Sequence, residues 1–392
     1  MTRSSNPKTT RGTLTRLLIG LTVLGVAGCG EAPEAQESVQ TDEAPILGGW
    51  KTLTLKNGWE AHGGTAPAVG VVNGVVTFRG ALKAPAGQVN PVAFVLDDPA
   101  YRPSPLDGLY LRTVLNGNVG GTLFYNPYND GQGNTHQVYV YQDGVSPPGL
   151  GAAARAFVSL DGVAFDKSYG DYIEHDPSWS SRYQLREHGC AYVNGPCGAF
   201  VKLVDGFVRF QGLLGKNSPS DYGGYLFTLP DPKYIPSNNV TVPLNLGGGQ
   251  GSNQSFGAIT IYPDGQVYVN GNPPAAASST SFEGVSFSKT LAGNVPLPLS
   301  NNWQAYSSRS VKVGKYGDVV RFQGAISGGT SATIGTLPPG YAPPKTVRLV
   351  AVAPGPSPAT VVVNTLGVIT VEGPPLSVSS LFLSLDGVSF GL

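Results

Sequence analysis

The chain has little of what catalysis draws on. It holds four histidines and three cysteines in 392 residues. His62, His136, His175 and His188 are scattered, with no i, i+4 pair and no HExxH, and there is no Walker loop, dinucleotide fingerprint or CxxC. The expectation is a protein that is not an enzyme and uses no cofactor or metal. One pattern imitates a hydrolase. Gly387-Val-Ser-Phe-Gly391 matches the G-x-S-x-G elbow, but only Leu392 follows it, which leaves no place for the later members of a triad around Ser389. An excess of one charge is lacking too: Lys plus Arg and Asp plus Glu each number 25. That balance excludes the basic surface nucleic acid calls for. Long apolar runs of helical period are few, whereas 54 glycines and 33 prolines punctuate the chain. Many short strands joined by tight turns, an all-β body with scarce helix, are expected.

What is present begins with an address. Arg3, Lys8, Arg11 and Arg16 precede an apolar run from Leu17 to Ala27, and Val26-Ala-Gly-Cys29 matches a bacterial lipobox. The run is too short to span a bilayer, so residues 1–28 read as a cleaved lipoprotein signal peptide. Cys29 is then the lipidation site, and acyl chains at about 0.8 kcal/mol per buried CH₂ make a near-permanent membrane anchor. Gly30 replaces the Asp that marks inner-membrane retention, which favours the outer membrane of a bacterial envelope, its periplasmic or surface face left open. Residues 29–45 carry Glu31, Glu34, Glu37, Asp42 and Glu43 without Lys or Arg. This is the composition of a disordered tether that repels itself and extends. Four basic groups leave with the signal and five acidic ones belong to the tether, so 21 and 20 remain in a nearly neutral body.

Three phrases recur in that body. Leu160-Asp-Gly-Val-Ala-Phe165 returns as Phe282-Glu-Gly-Val-Ser-Phe287 and Leu385-Asp-Gly-Val-Ser-Phe390. Ahead of each stands Val76-Thr-Phe-Arg-Gly80, Val208-Arg-Phe-Gln-Gly212 or Val320-Arg-Phe-Gln-Gly324, whose alternation marks a strand with one buried face. Between them come Asp98-Pro-Ala-Tyr101, Asp231-Pro-Lys-Tyr234 and Pro339-Gly-Tyr341-Ala-Pro343, where proline dictates a loop. Trp59 and Trp303 both lie 21 residues before the strand's final Gly, where the second copy has Ala191. Residues repeated at equivalent places are first of all fold determinants. The Asp-Gly pairs at Asp143 and Asp264 read as hairpin turns in matching places of copies 1 and 2.

The run Val311-Lys-Val-Gly-Lys-Tyr-Gly-Asp-Val-Val-Arg-Phe-Gln-Gly324, then Leu337-Pro-Pro-Gly-Tyr-Ala-Pro-Pro344 and Leu385-Asp-Gly-Val-Ser-Phe390, resembles the C-terminal heads of bacteriophage tail-fibre and minor tail proteins. The resemblance covers the third copy well and the earlier two loosely. It implies jelly-roll-like β-sandwiches, trimeric assembly and binding of host-surface saccharides. Two features depart from it: the lipoprotein signal, and three copies in tandem on one chain.

The expected organisation is three tandem jelly-roll-like sandwiches: repeat 1 over 46–168, a linker over 169–182, repeat 2 over 183–290 and repeat 3 over 291–392. Three linked copies can extend as a rod or fold back as a pseudo-trimer; unequal insertions and the missing tryptophan favour the rod. Cys190 and Cys197 flank a short Asn-Gly-Pro loop in an exported chain and are expected to form a disulfide. Asn126 to Asn134 clusters oxygen donors but misses the spacing of a calcium loop, and reads as a polar loop. Tyr125, Tyr128, Tyr139 and Tyr141 crowd the first copy and, if exposed, suit stacking on sugar rings, although packing in the core or on the sheet surface is the favoured account of them. Trp179, in the linker, is a further contact candidate. The function these residues imply is a non-catalytic, membrane-anchored binding module for a glycan or surface protein, adhesin-like; a structural spacer without a ligand is the alternative.

Overall fold

Each copy is built from antiparallel strands, which copy 3 arranges as two sheets. The computed structural model describes residues 47–63, 66–103, 108–129, 133–145, 150–173, 198–215, 224–247, 254–270, 279–289, 294–306, 309–355, 357–372 and 382–392. In copy 1 the smaller sheet runs Leu47–Thr52, Ala68–Val72, Val75–Arg79, Ala164–Asp166, and in copy 3 Val295–Pro296, Lys312–Tyr316, Val319–Gln323, Ser389–Gly391. The larger sheet of copy 3 orders Gln304–Ala305, Ala325–Ser327, Phe382–Ser384, Val347–Ala353, Ser357–Val363, Val368–Glu372 and Thr333–Thr336. Copy 1 divides the same layer into two sheets joined by a single bridge between Leu115 and Val158. Copy 2 does the reverse. Its strand Phe207–Gly215 pairs with Ala199–Val204 and Ser286–Ser288 over its first half and with Ser279–Ser281 at its end, so one strand serves both layers. The all-β class expected from composition is what the chain adopts, in an arrangement consistent with sandwich domains.

Three separate hydrophobic cores fill the sandwiches, one within 53–165, one within 173–287 and one within 297–390. The recurring phrases explain them. The Phe of each strand phrase meets the Phe ending each closing phrase: Phe78–Phe165 at 6.2 Å, Phe210–Phe287 at 6.3 Å and Phe322–Phe390 at 6.3 Å between ring centroids. Each such buried ring contributes roughly 1.5–3 kcal/mol. The acid of the closing phrase does a second job. Asp161, Glu283 and Asp386 accept the N–H of Gly80, Gly212 and Gly324, each at 2.8 Å. Those glycines hold φ near +104°, +101° and +106°, where a Cβ would meet neighbouring backbone within 3 Å.

The proline loops form short 3₁₀ turns at Pro99–Tyr101 and Pro232–Tyr234, capped by the Asp98 and Asp231 side chains, with both tyrosines buried. Two expectations change. Asp171–Tyr172, assigned to the linker, pairs with Ala199–Val204 as the edge strand of copy 2, and Ile173 lies in that core. An apolar residue next to a strand outweighs the polar composition around it. Asp264 does shape a hairpin turn, accepting the Gln266 N–H at 3.0 Å. Asp143 instead follows the strand Gln137–Gln142, the partner of Gln266–Asn270 in copy 2, and so does not occupy the matching place.

The body is not a rod. Asp42–Leu392 forms one compact unit, and the copies close on one another in a ring. The Ser before each closing phrase bonds the next copy: Ser159 Oγ donates to the Arg348 carbonyl (2.7 Å), Ser281 Oγ to that of Tyr110 (3.1 Å) and Ser384 Oγ to that of Thr241 (2.5 Å). The side chain before each strand glycine does likewise, Arg79 to the Leu392 carbonyl (3.3 Å), Gln211 to that of Asp166 (3.3 Å) and Gln323 to that of Ser288 (3.1 Å). Both sets run from copy 1 to 3, 2 to 1 and 3 to 2. Gly162, Gly284 and Gly387 complete the ring, since a Cβ there would come within 2.8 Å of the neighbour's backbone oxygen. A pseudo-threefold axis follows, with a small cavity of about 50 Å³ among the three closing turns. Unequal insertions did not prevent this, because the contacts common to the three junctions come from the repeated phrases and the residues beside them.

Candidate functional site

Equivalent places lie where copies meet, just before the central strands Val240–Gly247 and Val347–Ala353. Strand register fixes the equivalences. Val240 and Val347 pair with Ile261 and Val363 in like fashion, so Asn238 and Lys345 occupy the same place two residues earlier. His62 matches Tyr306, and Phe157 matches Phe382, by the pairings around Ala61 and Ala305 and around Val158 and Leu383.

Between copies 3 and 1 the place is filled. Lys345 Nζ comes within 3.4 Å of where a Gly80 Cβ would stand. Burial raises the Asp161 carboxyl to about 6, against the opposing pull of the Lys345 charge, the Gly80 N–H and Arg79. His62 meets Phe157 edge-on at 5.1 Å, and the Arg348 guanidinium lies 5.7 Å over Phe157 while pairing with Glu372. Between copies 2 and 3 the same place holds the short, neutral Asn238, and the cation comes from elsewhere. Arg309 reaches the fully buried Asp386 with both oxygens in range (3.1 and 3.0 Å) and also bonds the Asn239 carbonyl. Burial raises Asp386, with Arg309 opposing.

Two adjoining cavities remain open there, of about 450 and 390 Å³, sharing Asn238 and Arg309. The larger is lined by Lys289, Lys312, Ser288 and Asn294 among others and by no carboxylate. Lys312 makes no ion pair among the described residues, and Asn294 Oδ1 is buried there without a hydrogen-bond partner among them. Lys289 is held by the Pro232 carbonyl at 2.6 Å. The smaller cavity carries Tyr306, 43% exposed and edge-on to Phe382 at 4.6 Å, beside Thr241 and Thr260, whose hydroxyls meet at 3.2 Å. A flat aromatic face next to hydroxyl, amide and ammonium groups is the chemistry that holds a polyhydroxylated ring.

The interface of copies 1 and 2 is built differently. Arg112 pairs with Asp143 and reaches Thr122 and Asn245 (each 3.3 Å), and its guanidinium lies 5.2 Å over Phe256. Buried arginine and carboxylate are thus spent on joining copies, not on a ligand.

The tyrosines singled out from the sequence are placed otherwise. Tyr125 is 1% exposed in the core of copy 1, its hydroxyl 2.8 Å from His136 Nδ1, so it presents no face to a sugar. Its neighbours Tyr139 and Tyr141 do share one face of Gln137–Gln142, but they are half-buried in a ladder with Tyr110 and Phe124, at 4.5 Å for Tyr110–Phe124 and 6.1 Å for Tyr139–Tyr141. Burial pushes the Tyr110 and Tyr141 hydroxyls well up. Tyr128 is exposed at 41%, on a loop where Asn126 Oδ1 accepts its N–H. Cys29, Cys190, Cys197 and Trp179 lie outside the described residues. The cleft between copies 2 and 3 was missed because its parts are scattered from Asn238 to Phe382; the usable signal was the Ser before each closing phrase, a third repeated residue that points to contact between copies. No family profile, curated protein or solved structure gives a significant match to the chain.

Proposed function

We propose that the protein is a lipid-anchored component of a bacterial envelope whose three-copy body binds surface glycans without catalysis. The observation that carries this reading is the open cleft between copies 2 and 3, where the exposed Tyr306 ring stands beside threonine, asparagine and lysine side chains. Lipid attachment at Cys29 and the extended acidic tether hold the body off the membrane. A glycan array probed with the purified full-length protein tests the reading. Saturable binding that is lost in Tyr306→Ala is expected; an array without binding overturns it. Labelling of cells with radioactive palmitate, with incorporation lost in Cys29→Ser, is the expected result for the anchor.

A further inference from the structure

We infer that the cleft between copies 2 and 3 selects saccharides bearing a carboxylate, with the sugar ring against Tyr306 and the carboxylate directed to Lys312. This rests on the glycan-binding reading and narrows it. Four observations carry it. Asn238 lines this open cleft, where Lys345 takes the related place between copies 3 and 1 and reaches to Gly80. Among the described residues its lining includes three cations and no carboxylate, while Asp386 lies wholly buried behind Arg309. Two of the cations are occupied, Arg309 by Asp386 and Lys289 by the Pro232 carbonyl, whereas Lys312 has no ionic partner among the described residues. Finally, Asn294 Oδ1 offers an acceptor without a donor among the described residues, which suits a sugar hydroxyl. An exposed lysine alone is ordinary. A free lysine and an orphaned acceptor in one cavity, adjoining a second cavity with an exposed tyrosine, is a divided site for one ring and one charge.

The test uses the full-length protein and sugars of one skeleton with and without the carboxylate charge: glucuronic acid oligomers against glucose oligomers, and sialyllactose against its methyl ester, by calorimetry at low and raised salt. Binding of a carboxylated sugar at least tenfold tighter than its neutral partner, weakened by salt, is expected. Lys312→Glu should remove that preference with the melting temperature unchanged, and Tyr306→Ala should weaken both members of a pair. Equal binding of charged and neutral sugars overturns the selectivity and leaves the glycan-binding reading standing. A preference for carboxylated sugars that survives Lys312→Glu overturns the assignment of the site. Absence of binding to every sugar here and on the array overturns both.

Discussion

Two interfaces of one ring solve the same problem in opposite ways. Each closing phrase buries a carboxylate at a junction between copies, and a buried carboxylate without a counter-charge is costly. Between copies 3 and 1 the neighbour supplies Lys345, which lies over Gly80 and Asp161 and occupies the cleft. Between copies 2 and 3 the copy supplies its own Arg309 to Asp386, and the neighbour's Asn238 leaves the cleft empty. The difference teaches that an open cleft goes with a moved counter-ion within a repeated fold, with no new element added.

The comparison breaks most visibly at Arg309. Arg309→Met leaves Asp386 buried with no cation and should cost about 3–5 kcal/mol, read in denaturant melts. Lys345→Met should cost far less, about 1 kcal/mol, because that lysine is half-buried and lies beside the acid without a direct bond. Equal losses would show that the two junctions do not differ as described. Gly387→Ala comes next. The residue holds φ near +80° and a Cβ would stand 2.7 Å from the Ser286 oxygen of copy 2, so a loss of roughly 1–3 kcal/mol is expected, with scattering showing a looser ring. An alanine tolerated without change would mean the turns do not close the ring.

The smallest effect is in pH. Burial raises the folded Asp161 carboxyl to about 6, above its ordinary 3.8. The native chain therefore holds this proton where the unfolded chain has released it, and its contribution to stability falls as pH rises from about 4 to 6. Asp161→Asn keeps an acceptor for the Gly80 N–H and removes the titration, so the melting temperature should lose that part of its slope over this interval. A variant with the wild-type slope would assign the proton elsewhere.

Much of each sandwich was legible because its determinants are local. Val76 and Phe78 alternate, Asp264-Gly265 turns a hairpin, and Asp98 and Asp231 cap their proline turns. These depend on φ, side-chain period and bonds to residues nearby in sequence. Asp143-Gly144 does turn, but after its strand and not before it as Asp264-Gly265 does, because Asp-Gly marks a turn without saying which strands it joins; its carboxylate is committed to Arg112, 31 residues away. Tyr125 and Tyr139 could not be told apart as core and surface by type, since alternation says which residues share a face but not which face is covered.

Residue order alone determined the triplicate, the strand phrases, the proline turns and the lipobox, since each is written in neighbours along the chain. Tertiary structure decided that the copies close into a ring, that one serine and one glycine per copy meet the next, and that the junction of copies 2 and 3 is open at Asn238. The reason is distance: an interface energy depends on which side chains meet across tens or hundreds of residues, and Lys345 and Asn238 differ in effect only once each faces the buried acid of another copy.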